Sequence, residues 1–454
     1  MDNMKLRRFI ISAVVLGGVA GAGALIYAWH SAIDPIAPPA ASSFDPAIVR
    51  RGAELALIGD CKTCHTAPGG RVFAGGLAMP TPFGTIYSTN ITPEPETGIG
   101  SWSEAAFKRA MREGVDRSGR HLYPAFPYDH FTLTTAEDSK ALYAFFMTRD
   151  PVKATAPANS LPFPINVRLV LAGWKLLFLR ERRLDPDPSR DEVWNRGRYL
   201  VEGLGHCGAC HTPRNLMGAE EKIYRAFQGG EAEGWRAYAL GAASQSPIPW
   251  NEAALGQYLG EGFHPLHGVA RGPMAPVTDN LEGVSRQDVA AIAHYIASLS
   301  KNDSMPAKAS QLPQKEARGP GAAPQSAGSQ AATPAASADP GSRIYASTCA
   351  SCHESGRAVP LGGAYLALST AIGGESAENL VNILLNGIPA ANGAAQPVMP
   401  DFAGALTDAQ IVDLFRYLRS HFAQKPDWPN VDEVIRTART ARQLATAHPS
   451  PSAR

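Results

Sequence analysis

The sequence has almost no excess charge, no cysteine to spare and only one long apolar run. Forty-two basic residues face 41 acidic ones across 454 residues, for a formal net charge of +1. Nothing in that balance favours a nucleic-acid partner, which leaves protein, lipid and small-molecule contacts. The six cysteines fall in three pairs, Cys61 and Cys64, Cys207 and Cys210, and Cys349 and Cys352, so none is left for a disulfide. Nucleotide-binding, flavin-binding and metal-hydrolase motifs are also missing, which weighs against a chain that oxidises a substrate by itself. The length exceeds one ordinary domain and predicts roughly two to four.

What is present is a histidine directly after each cysteine pair: His65, His211 and His353. Two thiols three residues apart lie on one side of a helical turn, where both can form thioether bonds to the vinyl groups of one haem. The following imidazole is then offered to the iron. A structural zinc site needs four ligands and each cluster supplies three, while a thioredoxin-like dithiol needs no histidine. The pattern therefore predicts three covalently bound c-type haems, attached by the six cysteines, with His65, His211 and His353 as iron ligands.

The opposite axial ligand decides what each iron can do: a methionine thioether suits electron transfer, whereas an open position invites small-molecule chemistry. Met399 lies in Pro397-Val-Met-Pro400, eight residues before the helix cap Thr407, and Met274 in Gly272-Pro-Met-Ala-Pro276, eleven before Ser285. A methionine between prolines is a poor core residue, so both are expected ligands. The first segment has Phe126 in the corresponding slot, within Leu122-Tyr-Pro-Ala-Phe-Pro-Tyr-Asp-His-Phe131. Phenylalanine cannot ligate iron. His130 is the candidate there, with Met79, Met111 and His121 as rivals and an open iron as the alternative.

Residues 1–30 carry Lys5, Arg7 and Arg8 and then run apolar from Phe9 to Trp29, about 20 residues long. They read as a signal anchor or transmembrane helix, with a cleaved secretory peptide as the alternative. Basic residues stay inside, so the haem domains are expected in the periplasm, tethered to a bacterial inner membrane. The fold expected is all-α: three cytochrome c domains in tandem, preceded by an N-terminal transmembrane anchor. Three helices with hydroxyl caps support a repeat: Thr135-Ala-Glu-Asp138, Ser285-Arg-Gln-Asp288 and Thr407-Asp-Ala-Gln410. Each is followed by an apolar stripe, namely Leu142, Phe145 and Phe146; Ile292, Tyr295 and Ile296; and Leu414, Tyr417 and Leu418. A shorter helix precedes each motif. The expected domains are 44–150, 186–300 and 341–424. An apolar connector at 151–185 reads as a packed helix or a partner or membrane surface. A flexible Ala/Pro/Gly/Ser linker spans 301–340 and leaves the third domain loosely attached, and 425–454 forms a tail with an exposed helix.

These motifs, with Pro82-Phe-Gly-Thr-Ile-Tyr-Ser-Thr-Asn-Ile-Thr-Pro93, Gly98-Ile-Gly-Ser-Trp102 and His121-Leu-Tyr-Pro124, resemble the triple-haem cytochrome c subunits of membrane-bound bacterial dehydrogenases. The likeness runs from Phe44 to Phe422. Members of the alcohol dehydrogenase branch have methionine where Phe126 stands, so that ligand does not carry over. Phe126-Pro-Tyr-Asp-His130 and Leu161-Pro-Phe-Pro164 are more similar to a branch serving molybdenum hydroxylases, including aldehyde and nicotinate dehydrogenases. That resemblance implies a non-catalytic electron-transfer subunit. Its partners would be a molybdopterin large subunit and a small iron-sulfur subunit, with electrons passed to ubiquinone or a terminal oxidase. The alternatives are a subunit of a quinoprotein alcohol or flavoprotein sugar dehydrogenase, a haem enzyme using an open first haem, and a free-standing shuttle or oxidase-associated cytochrome.

Overall fold

The computed structural model describes residues 3–300, 339–354, 365–389 and 398–447. The chain forms two compact units, one of Met1–Pro186 with Glu202–His206, the other of Asp187–Val201 with Cys207–Arg454.

In the first unit, α1 (Asn3–Ala28) is followed by α2 (Pro46–Ile58) and by α3 (Cys61–Cys64), which holds the first cysteine pair. Strands β1 (Ala78–Thr81) and β2 (Gly84–Tyr87) form an antiparallel ribbon, and α4 (Glu104–Glu113), α5 (Tyr128–Phe131), α6 (Ala136–Met147) and α7 (Val170–Phe178) complete the unit. Asp45 caps α2 by accepting the N–H of Ala47, with Pro46 in the first turn, where a missing N–H costs nothing. Thr135 caps α6, and the predicted stripe Leu142, Phe145 and Phe146 is buried. Phe73 meets Phe146 edge to face at 5.4 Å within this core.

The second unit contains α8 (Glu192–Tyr199), α9 (Gly208–His211), α10 (Lys222–Arg225), the ribbon of β3 (Gly230–Ala232) and β4 (Trp235–Ala237), and α11 (Glu252–Glu261). The short ribbon of β5 (Phe263–His264) and β6 (Gly268–Val269), α12 (Met274–Leu281) and α13 (Arg286–Ser298) follow. Beyond residue 338 come α14 (Pro340–Thr348), α15 (Ala350–His353), α16 (Thr370–Gly373), α17 (Glu378–Asn386), α18 (Asp408–Leu418) and α19 (Val431–Ala447).

A helix crossing repeats three times, α2 on α6, α8 on α13 and α14 on α18. At each crossing a glycine of the first helix faces the backbone of the second, and the apolar stripe of the second fills the core. The caps differ in one respect. Gln410 reaches back to the Thr407 N–H and closes a capping box. Asp138 and Asp288, at the same helix position, instead bind Arg51 and Arg196 of the crossing helices, the latter at 2.8 and 2.9 Å. A carboxylate one methylene shorter than glutamate is better placed to take a planar guanidinium than to return to its own cap.

The all-α expectation is corrected on two counts. Helices dominate, but among the described residues there are three antiparallel ribbons, the first where Thr81, Thr85, Ile86 and Tyr87 supply strand-favouring side chains around a two-residue Pro82-Phe83 turn. The transmembrane anchor is also corrected: among the described residues no helix is long and apolar enough to cross a membrane. Helix α1 opens on Lys5, Arg7 and Arg8, and its second half is rich in small residues, including Gly17, Gly18, Gly21 and Gly23, which add little apolar side-chain area per turn.

The connector is not a uniform apolar surface. Helix α7 buries Leu171, Ala172 and Lys175 within the first unit and exposes Leu176 and Leu177. The linker from residue 301 to 338 lies outside the described residues. The exposed tail helix is corrected: α19 is docked, with Ile435 fully buried among Leu414, Phe415 and Trp428 in one core. The third segment also hydrogen bonds to β4 and its turn, which is tighter than loose attachment.

Candidate haem-binding sites

The first cysteine pair spans α3, and the other two run from the residue that precedes α9 and α15 into the first turn of each, so the two sulfurs of each pair share one face. None of the six cysteines forms a disulfide. Burial pushes the thiols of Cys61 and Cys207 up to about 12 and that of Cys349 up to about 11, so they rest as neutral thiols and not as thiolate nucleophiles.

The histidines after the first two pairs are held alike. Nδ1 of His65 donates to the carbonyl of Thr89 at 2.7 Å, and Nδ1 of His211 to that of Tyr238 at 2.6 Å. A carbonyl only accepts, so the proton sits on Nδ1 and the lone pair on Nε2, the arrangement a metal-binding imidazole requires. Burial lowers the pKa of both rings and so disfavours the imidazolium, which could not bind a metal. The residues present therefore fit a c-type haem. His353 ends α15 and is half-buried.

The frame around each ring repeats in detail. The N–H of Gly75 donates to the carbonyl of His65, and that of Gly229 to the carbonyl of His211, both at 2.8 Å. Both glycines have positive φ, 72° and 89°, which lets the chain turn back under the histidine. The hydroxyls of Thr66 and Thr212 accept the N–H groups of Phe73 and Phe227, themselves at φ 62° and 59°. Sequence reasoning did not find this frame. Its signal is there: Cys-His-Thr in both segments, followed by Phe73-Ala-Gly-Gly76 and Phe227-Gln-Gly-Gly230.

Met274 opens α12, three residues after Arg271. Met399 packs against the core of the third segment and pairs through its main chain with Ile388, at 2.8 and 3.1 Å. In the first unit, Phe126 is half-buried and packs edge to face on Phe131 at 5.1 Å. His130 is buried and donates from Nδ1 to the carbonyl of Glu202 at 2.6 Å, the same tautomer as His65. Its ring lies 6.5 Å from that of His206, whose Nε2 is 3.3 Å from the carbonyl of Gly59, two residues before Cys61.

His121 is held by hydrogen bonds at both ring nitrogens. Its Nε2 donates to the carbonyl of Ala28 at 2.8 Å and its Nδ1 accepts from Lys175 at 3.0 Å, so both ring nitrogens are committed. Met111 is buried in α4 and Met79 half-buried in β1.

Comparison with known proteins adds to this geometry. Residues 336–418 match the family described as cytochrome C oxidase, cbb3-type, subunit III. The chain is 46% identical to a nicotinate dehydrogenase subunit of Pseudomonas putida over 92% of its own length, but spans only 34% of that relative. It is 36% identical to the gluconate 2-dehydrogenase cytochrome c subunit of Pantoea cypripedii, covering 88% of this chain and 89% of the relative. It is 37% identical to the fructose dehydrogenase cytochrome subunit of Gluconobacter japonicus, covering 91% and 87%.

Proposed function

Because the chain belongs to the family of cytochrome c subunits of dehydrogenase complexes, we propose that it is the electron-transfer subunit of a periplasmic molybdenum hydroxylase of the aldehyde or nicotinate dehydrogenase type. A molybdopterin subunit oxidises the substrate, a small iron-sulfur subunit relays electrons, and this chain passes them through three covalently bound haems to ubiquinone or a terminal oxidase. The observation that carries the reading is the repeated frame in which His65 and His211 each hold their proton on Nδ1 against a main-chain carbonyl. Identity to the nicotinate dehydrogenase subunit favours the molybdenum branch.

A bound haem supplies one-electron redox chemistry at its iron. The chain's own residues do the rest. Cys61, Cys64, Cys207, Cys210, Cys349 and Cys352 would attach the three groups, and His65, His211 and His353 would each hold one iron. Met274 and Met399 would serve as the further ligands of the second and third groups, and His130 as that of the first. A second reading rests on length: the gluconate and fructose dehydrogenase subunits are matched over almost their whole extent, which favours a flavoprotein sugar dehydrogenase as partner.

The test is purification with and without partners. Three haems per chain, molybdenum in the copurifying complex, and no reduction of the isolated chain by substrate are expected. Substrate-dependent reduction of the chain alone would overturn the reading, and flavin in place of molybdenum would select the second.

A further inference from the structure

The ribbon of β3 and β4 has two faces of contact within the second unit. On one side it brackets His211: Gly229 binds the His211 carbonyl and the Tyr238 carbonyl takes Nδ1. A Cβ placed on Gly230 would stand 2.3 Å from the carbonyl of Cys210, so the ribbon lies directly on the haem-attachment turn. On the other side, the edge of β4 is covered by α17. Arg236 is paired with Glu231 in the ribbon, and both of its main-chain polar groups are taken by one side chain. Oδ1 of Asn379 accepts the Arg236 N–H at 2.8 Å, and Nδ2 donates to the Arg236 carbonyl at 3.0 Å.

Asn379 is buried, and both polar atoms of its amide lie on the main chain of Arg236, two residues before Tyr238. One helical turn later, Asn382 donates to the carbonyl of Gly234 at 2.9 Å. The far end of α17 is tied as well, since Arg271 donates to the carbonyl of Gly387 at 3.1 Å. Gly387 adjoins Ile388, the main-chain partner of Met399. Tyr238 thus holds His211 with its carbonyl, two residues along the chain from the position that Asn379 of the third segment clamps.

A carboxamide donates and accepts side by side in one plane, which is what an exposed strand edge asks for. Alanine at this position would leave the N–H and C=O of Arg236 facing the helix without that partner. Histidine orientation and basicity follow such outer contacts.

We propose that Asn379 is a positioning residue for electron transfer between the second and third haems, because its clamp on Arg236 fixes Tyr238 and, through that carbonyl, the orientation of His211. The step is a single electron leaving one iron, which is oxidised, and arriving at the other, which is reduced, with no bond made or broken. The inference rests on the reading of His211 and His353 as iron ligands.

The full-length haem-loaded protein and its Asn379→Ala, Asn379→Asp and Asn382→Ala variants test it. Hydrogen exchange of the Arg236 amide, the midpoint potential of the second haem and the rate of internal electron equilibration after flash reduction are the readouts. In Asn379→Ala the amide is expected to exchange roughly tenfold faster, as loss of one hydrogen bond implies, with a shifted potential and slower equilibration. Asn379→Asp keeps the acceptor and loses the donor, so it should fall between wild type and alanine, while Asn382→Ala should leave the potential unchanged. Two outcomes overturn the inference: an unchanged Arg236 amide, or faster exchange with potential and equilibration rate at wild-type values. A haem count that does not fall in a Cys207→Ala, Cys210→Ala chain sinks the haem reading itself, and is thereby told apart.

Discussion

Gly197 of α8 faces the carbonyl of Ala291 in α13 so closely that a Cβ built on it would stand 1.9 Å from that oxygen and 2.8 Å from the Cβ of Tyr295. Gly52 stands in the same relation to Ala141 and Phe145, at 2.0 and 2.7 Å, and Gly341 to Asp413 and Tyr417, at 2.0 and 2.8 Å. Three crossings built on one glycine and one aromatic describe a single packing solution used three times. Backbone atoms cannot yield as side chains do, so this contact tolerates no larger residue.

Gly197→Ala is therefore expected to force α8 off α13 and cost about 1–3 kcal/mol, in the range of core overpacking. Urea unfolding of the haem-loaded protein, followed by circular dichroism, measures it. A midpoint unchanged from wild type would show that the helices shift apart without penalty.

Much of this was legible in advance. Caps at Thr135, Ser285 and Thr407 and the stripes behind them follow from hydroxyl and apolar spacing, which are local. The crossing glycines and the Phe-x-Gly-Gly frames were not found, because a glycine announces neither its partner nor its φ until the partner's backbone is placed. The N-terminal run reads in sequence as a membrane anchor, whereas among the described residues no helix is long and apolar enough to cross a membrane. The docking of α19 was missed because its anchors, Arg439 and Arg442, read as solvent-facing charge.

The proposed sixth ligands predict distinct spectra. Met274→Ala and Met399→Ala should each convert one haem to a form that binds carbon monoxide, with a lowered potential, and leave the other two unaltered. His130→Ala should do the same for the first haem, since its Nδ1 already donates to Glu202 in the manner of a metal-binding ring. If carbon monoxide binding does not appear in His130→Ala, the histidine serves only to tether the Glu202 carbonyl.

His267 sets a pH dependence in the second unit. Its ring stacks on Trp250 at 3.6 Å with Nδ1 3.2 Å from the Ser246 hydroxyl, and burial, assisted by nearby His264, pushes its pKa down from 6.5 to about 4. Between those values the unfolded chain binds a proton that the folded chain does not. The contribution is thus present above 6.5 and is lost as pH falls toward 4. Comparing thermal midpoints at about pH 7 and about pH 5, His267→Gln should lose less stability on acidification than wild type. An equal loss in both would place the acid sensitivity elsewhere.

Helix α19 lies beyond the stretch matched to the cbb3-type family, yet it holds the segment that leads from Met399 to α18. Arg439 donates to the carbonyls of Ala403 and Leu406, each at 2.7 Å, and pairs with Asp408 in the first turn of α18. Arg442 binds the carbonyl of Leu385 at the end of α17 and lies 3.5 Å from Asp401. The two arginines therefore bridge both ends of the loop that carries Met399, while Ile435 seals the core beneath it. Arg439→Ala removes three charge-assisted bonds and should cost about 1–3 kcal/mol. A chain ending at residue 430 should lose more, and should in addition expose the third iron to carbon monoxide as Met399 is released. If the truncated chain keeps both its unfolding midpoint and a closed third haem, α19 is an appendage, and the Met399 loop is held by the Ile388 pairing alone.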